Sequence, residues 1–205
     1  MNDIIDLQTF GSVFVTLLVI MDPPGALPIF LGLTSSLTQK QKVSAARRAS
    51  LVAFGVIAAF AVFGQQILNY LHISLPALQG AGGLLLLLVA LQLLVGSEQE
   101  QHADAGVNVA LVPLGTPLLA GPGAIVATML AVQGADRAAD YVAVAIGLVA
   151  TMVVVWLFFR FAGYIHRVLK DSGTVLLTKI AGLLLSAIAV QMVADSIRAF
   201  VTGTA

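Results

Sequence analysis

The chain has 205 residues, of which 59% are hydrophobic and 10% are charged, and its ten basic and ten acidic residues balance to zero formal net charge. Soluble domains are about 45 to 50% apolar and about 25% charged, so a soluble fold cannot bury this much apolar surface. The sequence has no cysteine, which excludes disulfides and thiolate metal sites. The balanced charge indicates no particular partner.

Six long windows poor in charge follow one another along the chain. Each is long enough to cross the hydrocarbon core of a bilayer, which takes about 20 residues of helix. The sequence therefore predicts an all-α integral membrane protein, with residues 1–205 forming a single transmembrane domain of six helices. The windows that define predicted helices 1 to 6 are 10–33, 51–71, 75–96, 107–132, 141–164 and 175–201.

The basic residues are shared unevenly between the predicted loops, which predicts an orientation. Eight lie near the links between helices 1 and 2 or between helices 5 and 6, whereas Arg137 and Arg198 lie on the opposite side. Loops rich in Lys and Arg stay in the cytoplasm, so we expect both termini on the outer side of the membrane. No cleaved signal peptide is expected. The eight are Lys40, Lys42, Arg47, Arg48, Arg160, Arg167, Lys170 and Lys179.

Prolines and glycines interrupt predicted helix 1 at DPPGALP (22–28) and predicted helix 4 at PLGTPLLAGPGA (113–124). Proline removes a backbone donor and clashes with the preceding turn. Irregular backbone survives at membrane depth only when it is buried in protein or lines a cavity. We therefore predict two broken helices whose restarted halves direct N–H groups at a cavity that can hold an anionic group. A plain proline kink in each helix is the alternative.

The two halves of the sequence resemble each other. A shift of 98 residues places PGA at 24–26 on PGA at 122–124, and a shift of 99 aligns 83–97 with 182–196. Each half holds three predicted helices, an odd number, so the halves insert with opposite orientation, as inverted repeats of secondary transporters do. The alternative is that leucine-rich helices resemble each other by composition alone. The predicted repeats are about 8–97 and about 106–201.

Three segments, DPPGALPIFLGLT, VPLGTPLLAGPGAI and TKIAGLLLSAIAVQ, together resemble the MarC family of bacterial and archaeal inner-membrane proteins. The family patterns [N/D]-P-x-G and A-G-P-G stand at 22–25 and 120–123. The resemblance implies six helices in two inverted halves and, for the SnatA-type members, transport of glycine and alanine. Two departures are Gly115-Thr116, which replaces the more usual apolar pair before the second proline, and Asp195, where we would expect glycine.

Asp22 is the one carboxylate predicted near mid-membrane, where a charge costs at least about 2.5 to 3.5 kcal/mol and indicates a functional role. It could offset a substrate ammonium group or take up a proton. The alternative is a helix cap. Small residues at both breaks favour a tight site for glycine or alanine. The predicted substrate-binding residues are Asp22, Pro24, Gly25, Ala26, Thr116, Gly121, Gly123 and Ala124.

The sequence favours a secondary transporter of small neutral amino acids, with a small zwitterionic substrate and with coupling to H⁺ or Na⁺ left open. The alternative is a channel-like or non-transporting membrane scaffold. An intramembrane aspartyl hydrolase needs two adjacent carboxylates, and Asp195 lies roughly 15 Å along helix 6 from its middle, so no enzyme is expected. We expect no catalytic residue, metal, cofactor or nucleic-acid partner.

Overall fold

The computed structural model describes residues 6–95 and 119–203. Within those ranges the chain forms only helices and short connections, which confirms the all-α class. The helices are α1 (Leu7–Met21), α2 (Pro23–Leu33), α3 (Gln39–Leu71), α4 (Leu75–Val95), α5 (Pro122–Gln133), α6 (Ala138–Arg160) and α7 (Ala162–Thr202).

Five helical stretches are long and apolar enough to cross a membrane, as an integral membrane protein with several spans requires. Predicted helix 4, residues 107–132, lies partly outside the described residues, and its second part is the shorter apolar helix α5. The count of six spans and the boundaries of the two repeats therefore stay predictions. The five stretches are Leu7–Leu27, Gln39–Leu71, Leu75–Val95, Ala138–Arg160 and Ser172–Thr202.

Large apolar side chains cover the outside of the helix bundle, and Val62, Leu183 and Val190 are each more than half exposed. Lipid tails are as apolar as these side chains, so this surface suits a bilayer. The buried core lies between the helices. One cluster joins α1, α2, α3, α5 and α6 around Phe30 and Phe159, and a second joins α4, α5 and α7.

Helix α3 begins at Gln39, well before the predicted start at 51. Its basic residues were expected in a loop, and that expectation was wrong because they form the first turns of a helix. Gln41 Oε1 accepts hydrogen bonds of 2.8 Å from the backbone N–H and from the hydroxyl of Thr38, which closes the first turn. Ala46 and Ala49 are fully buried on the inner face of these turns.

The predicted loop between helices 5 and 6 is also mostly helical. Helix α6 ends at Arg160 and α7 begins at Ala162, so only Phe161 separates them. The irregularity lies instead at Lys170, whose φ of 55° and ψ of 179° divide α7 into a short first segment and the membrane span Ser172–Thr202. Arg160, Arg167 and Lys179 therefore lie on helices, whereas Lys170 lies at the irregular point between two helical segments.

Helices α4 and α7 pack closely through two glycines. A Cβ atom on Gly83 would lie 2.9 Å from Ala189 O, and one on Gly182 would lie 3.3 Å from Ala90 O. The 99-residue shift converts each of these contacts into the other. Pairing of 83 with 189 and of 182 with 90 also means that α4 and α7 run antiparallel.

An ion-pair cluster joins the start of α1 to the start of α6. Arg137 Nη2 lies 2.7 Å from Asp6 Oδ2 and 2.8 Å from Asp140 Oδ1. The two helix starts therefore lie at the same end of the bundle. Hydrogen bonds from the backbone N–H groups of Thr9 and Gln8 and from Arg137 lower the pKa of Asp6 below its ordinary value of 3.8.

This lowered pKa predicts a small acid sensitivity. A carboxylate whose pKa is depressed by folding stabilises the fold above its unfolded pKa, and the contribution is lost as the pH falls through the folded value. We expect the melting temperature in detergent to decrease as the pH is lowered below 3.8. The decrease should be smaller in Asp6→Asn than in the parent protein. The effect is small because the Arg137 side chain is 67% exposed. Identical pH profiles for the two proteins would show that the ionised Asp6 does not stabilise the fold.

Candidate functional site

The first break separates α1 from α2 at a single residue. Helix α1 ends at Met21, Asp22 has the left-handed values φ 38° and ψ 66°, and α2 begins at Pro23. A left-handed residue ends a right-handed helix, so this is a break and not a plain proline kink. The prediction of a broken helix 1 is confirmed.

The break frees backbone carbonyl groups at the end of α1. Pro23 and Pro24 lack the N–H groups that would otherwise bond to the carbonyls of Val19 and Ile20. The next amide, Gly25 N–H, donates to Asp22 Oδ1 at 3.2 Å. The negative end of the α1 dipole and its carbonyl oxygens therefore face the break, beside the positive end of α2.

The Asp22 side chain caps α2 with one oxygen and keeps the other free. Asp22 is 7% exposed, its Oδ1 accepts a hydrogen bond from the Gly25 amide, and its Oδ2 has no hydrogen-bond partner among the described residues. The capping alternative is thus confirmed, and it uses only half of the carboxylate. A buried polar atom without a partner is costly and calls for an explanation, such as a ligand.

Gly25 is required by this arrangement. A Cβ atom at Gly25 would lie 1.9 Å from Asp22 Oδ2 and 3.2 Å from Thr178 Oγ1. Any side chain would displace the carboxylate from its position over the start of α2. Thr178, which belongs to α7, thereby reaches the first break across Gly25.

Thr178 was not among the predicted site residues. It is the first residue of the segment TKIAGLLLSAIAVQ, and a polar residue at the start of that segment was the signal available in the sequence. Its neighbour Lys179 faces away from the break, because its Nζ donates to the carbonyl of Leu94 on α4.

The second break has no carboxylate. Helix α5 begins at Pro122, its N-cap is Gly121 in an extended conformation, and no side chain of the described residues caps it. The 98-residue shift places Ala120 where the first half has Asp22, and alanine cannot accept a hydrogen bond through its side chain. Within the described part of the chain, the positive N-terminus of α5 therefore has no side-chain cap, in contrast to that of α2. The predicted restart of helix 4 after its glycine is confirmed; the preceding half lies outside the described residues.

The small residues of the two breaks differ in their surroundings. Ala26 and Ala124 are buried in the core, and a Cβ atom on Gly123 would lie 2.0 Å from Leu86 Cδ2 on α4. Close packing against α4 is thus a reason for glycine at 123 whether or not a ligand binds. Pro24, Gly25 and Gly121 are half-buried, and the predicted site residue Thr116 lies outside the described residues.

The two breaks border the same part of the core. Helix α1 packs against α5, and Met21 and Ala26 of the first break share a buried cluster with Ala120 and Ala124 of the second. Asp195, by contrast, lies far along α7 and accepts a hydrogen bond of 2.9 Å from Gln191 of the same helix. Of the predicted features, the two helix breaks therefore contribute residues to one buried cluster, and Asp195 does not.

The fold and this site define an α-helical, multi-pass integral membrane protein with interrupted helices. A sequence model of a protein family, described as "MarC family integral membrane protein", matches residues 7–201, and the chain belongs to that family.

Similar proteins from archaea and bacteria are also membrane proteins by name. The UPF0056 membrane protein MJ1677 of Methanocaldococcus jannaschii is 36% identical over 94% of this chain and 98% of its own length. The UPF0056 membrane protein YvbG of Bacillus subtilis is 32% identical over 91% of this chain and 92% of its own. None of the solved structures compared with the chain matches it.

Proposed function

We propose that this protein is a secondary transporter of small neutral amino acids such as glycine or alanine. The observation that carries the proposal is the difference between the two breaks in the described residues. Asp22 presents a buried carboxylate oxygen without a hydrogen-bond partner at the first break, and no side chain caps the α5 N-terminus at the second. An ammonium group suits the former and a carboxylate suits the latter. A small amino acid carries both groups, and glycine and alanine have little else to accommodate.

The packing of α4 against α7 supports the two inverted halves on which transport would depend. The contacts of Gly83 and Gly182 are related by the 99-residue shift, as a two-fold axis in the membrane plane would require. In such transporters the substrate lies at the interface between the repeats, next to discontinuous helices. The proposed site lies where α2 of the first half packs against α7 of the second.

The alternative is a channel-like or non-transporting scaffold protein. Phe30, two turns along α2 from the first break, stacks on Phe159 with ring centroids 4.7 Å apart, and both side chains are almost completely buried. Close packing of this kind supports a transporter over an open channel. A scaffold would retain the same helices without a saturable site.

Uptake of labelled glycine into proteoliposomes tests the proposal, with and without imposed pH and Na⁺ gradients. We expect saturable uptake that unlabelled alanine inhibits and that one of the two gradients drives. Uptake that rises linearly with glycine concentration would indicate a channel, and no uptake would indicate a scaffold.

The proposed orientation has both termini outside the cytoplasmic membrane, from the distribution of basic residues. Because the chain lacks cysteine, single cysteines can be introduced without background labelling. We expect an impermeant thiol reagent added to intact cells to label His72→Cys, in the link between α3 and α4, and not Gln39→Cys at the start of α3. Both positions are exposed, and labelling of Gln39→Cys in intact cells would reverse the orientation.

We infer no enzymatic activity and no cofactor for this protein. Asp22 would need a second carboxylate beside it to form an aspartyl hydrolase, and Asp195 is paired with Gln191 on another part of α7. In the described residues no cluster of acidic, histidine or cysteine side chains could hold a metal ion.

A further inference from the structure

The free oxygen of Asp22 faces a hydroxyl group on another helix. The Cβ position of Gly25 lies 1.9 Å from Asp22 Oδ2 and 3.2 Å from Thr178 Oγ1, so the two oxygens are no farther apart than the sum of those distances. Among the described residues Asp22 Oδ2 nevertheless has no hydrogen-bond partner, and Asp22 is 7% exposed. A buried carboxylate oxygen without a partner therefore lies close to a hydroxyl oxygen of another helix.

Apart from the Gly25 amide, which already donates to Asp22 Oδ1, the polar groups identified near the first break are acceptors or can act as acceptors. The Thr178 hydroxyl has lone pairs, and the proline pair leaves the carbonyls of Val19 and Ile20 without their usual amide donors. The nearest cation in sequence, Lys179, is held by the carbonyl of Leu94 on α4. A carboxylate, a hydroxyl and backbone carbonyls at an interrupted helix are the ligands that small cations take in membrane transporters.

We propose that Asp22 and Thr178 together bind one small cation, with Thr178 as a binding residue that α7 contributes. The inference rests on the proposed transport function for the source of the cation, which is either the ammonium group of the amino acid or a co-transported Na⁺. Helix α2 belongs to the first predicted half and α7 to the second. A cation held between them joins the two halves, so its binding favours one relative arrangement of the halves over another.

Two substitutions at one position test the proposal. Thr178→Val keeps the shape of the side chain and removes the hydroxyl, whereas Thr178→Ser keeps the hydroxyl. A hydrogen bond to a charged group corresponds to about a 10- to 100-fold change in affinity. We expect Thr178→Val to weaken binding by that factor and Thr178→Ser to restore most of it. The protein is purified in detergent, and its melting temperature is recorded alongside.

Thr174 provides the matched control one turn earlier on α7. Thr174 is 3% exposed, and its hydroxyl donates a hydrogen bond of 3.0 Å to Lys170 O of the same helix. The Thr174 hydroxyl therefore stabilises α7 and does not contact the break. We expect Thr174→Val to leave affinity unchanged even if it lowers the melting temperature. A loss of affinity as large as that of Thr178→Val would mean that hydroxyl removal acts through the stability of α7, which would overturn the proposal.

Two probes separate the sources of the cation. Labelled Na⁺ is bound in the absence of amino acid, and labelled glycine is bound in sodium-free buffer. Weaker Na⁺ binding in Thr178→Val assigns the site to the inorganic ion, and weaker glycine binding assigns it to the ammonium group. Unchanged affinity for both probes overturns the inference and leaves the transport function intact.

A double-mutant cycle shows whether the two residues share one ligand. If they do, Thr178→Val should change affinity by no more than about twofold once Asp22→Asn has removed the charge. Full additivity of the two losses would overturn the shared site. If the parent takes up no amino acid but binds Na⁺ in a Thr178-dependent manner, the transport proposal fails and the cation site stands; if it binds neither probe, both fail.

Discussion

Glycine binding should disappear in Asp22→Leu, with a marked loss of stability. Leucine in the left-handed conformation of Asp22, φ 38° and ψ 66°, costs roughly 1 to 2 kcal/mol. Loss of the hydrogen bond that Oδ1 accepts from Gly25 costs about 1 kcal/mol more. Leucine also removes the oxygen that we assign to the ammonium group. Binding of labelled glycine and the melting temperature in detergent measure the two effects.

Two milder substitutions separate the backbone from the carboxylate. Asparagine tolerates the left-handed conformation and keeps an acceptor for the Gly25 amide, so Asp22→Asn should fold, bind weakly and lose any proton dependence of transport. Glycine has no conformational penalty there and replaces a cap at a cost of only a few tenths of a kcal/mol. Asp22→Gly should therefore fold and fail to bind. Parent-like binding by Asp22→Gly would exclude the carboxylate from the site.

The break at Asp22 could be predicted because covalent chemistry dictates it. Two consecutive prolines cannot donate the two amide hydrogen bonds that would continue α1, whatever the tertiary surroundings, although they can form the first turn of a new helix. The sequence could not decide between capping and ligand binding, since both use a carboxylate next to a helix N-terminus. The structure shows that the two oxygens have different environments, which no property of the residue type predicts.

Thr178 could not be assigned from the sequence because its relation to Asp22 depends on tertiary packing. The two residues are 156 positions apart, and the packing of α2 against α7 brings them to opposite sides of Gly25. The early start of α3, in contrast, had a local signal. Thr38 and Gln41 have the spacing of a capping box, and the weight given to the basic residues as loop markers obscured it.

The two equivalent glycines should respond differently to a single added methyl group. At Gly25 the new Cβ would overlap the Asp22 carboxylate, 1.9 Å from Oδ2 and 2.8 Å from Cγ. The carboxylate would have to leave the start of α2, so Gly25→Ala should reduce glycine affinity nearly as much as Asp22→Gly does. At Gly123 the new Cβ would overlap Leu86, 2.0 Å from Cδ2. Overpacking of this kind costs typically 1 to 3 kcal/mol, so Gly123→Ala should lose stability first.

Shortening the Leu86 side chain distinguishes the effect of Gly123→Ala from that of Gly25→Ala. Leu86 is 3% exposed, and Leu86→Ala alone leaves a cavity that costs about 2 to 5 kcal/mol. The Gly123→Ala methyl group would enter that cavity, so the double variant should be more stable than the sum of the single effects by about 1 to 3 kcal/mol. Leu86→Ala should not restore glycine binding to Gly25→Ala, whose lesion lies at the carboxylate. If Gly123→Ala with Leu86→Ala regains stability but not affinity, the α5 N-terminus binds the substrate directly. If affinity returns with stability, Gly123 serves packing, and the anionic end of the amino acid must be bound elsewhere along the second break.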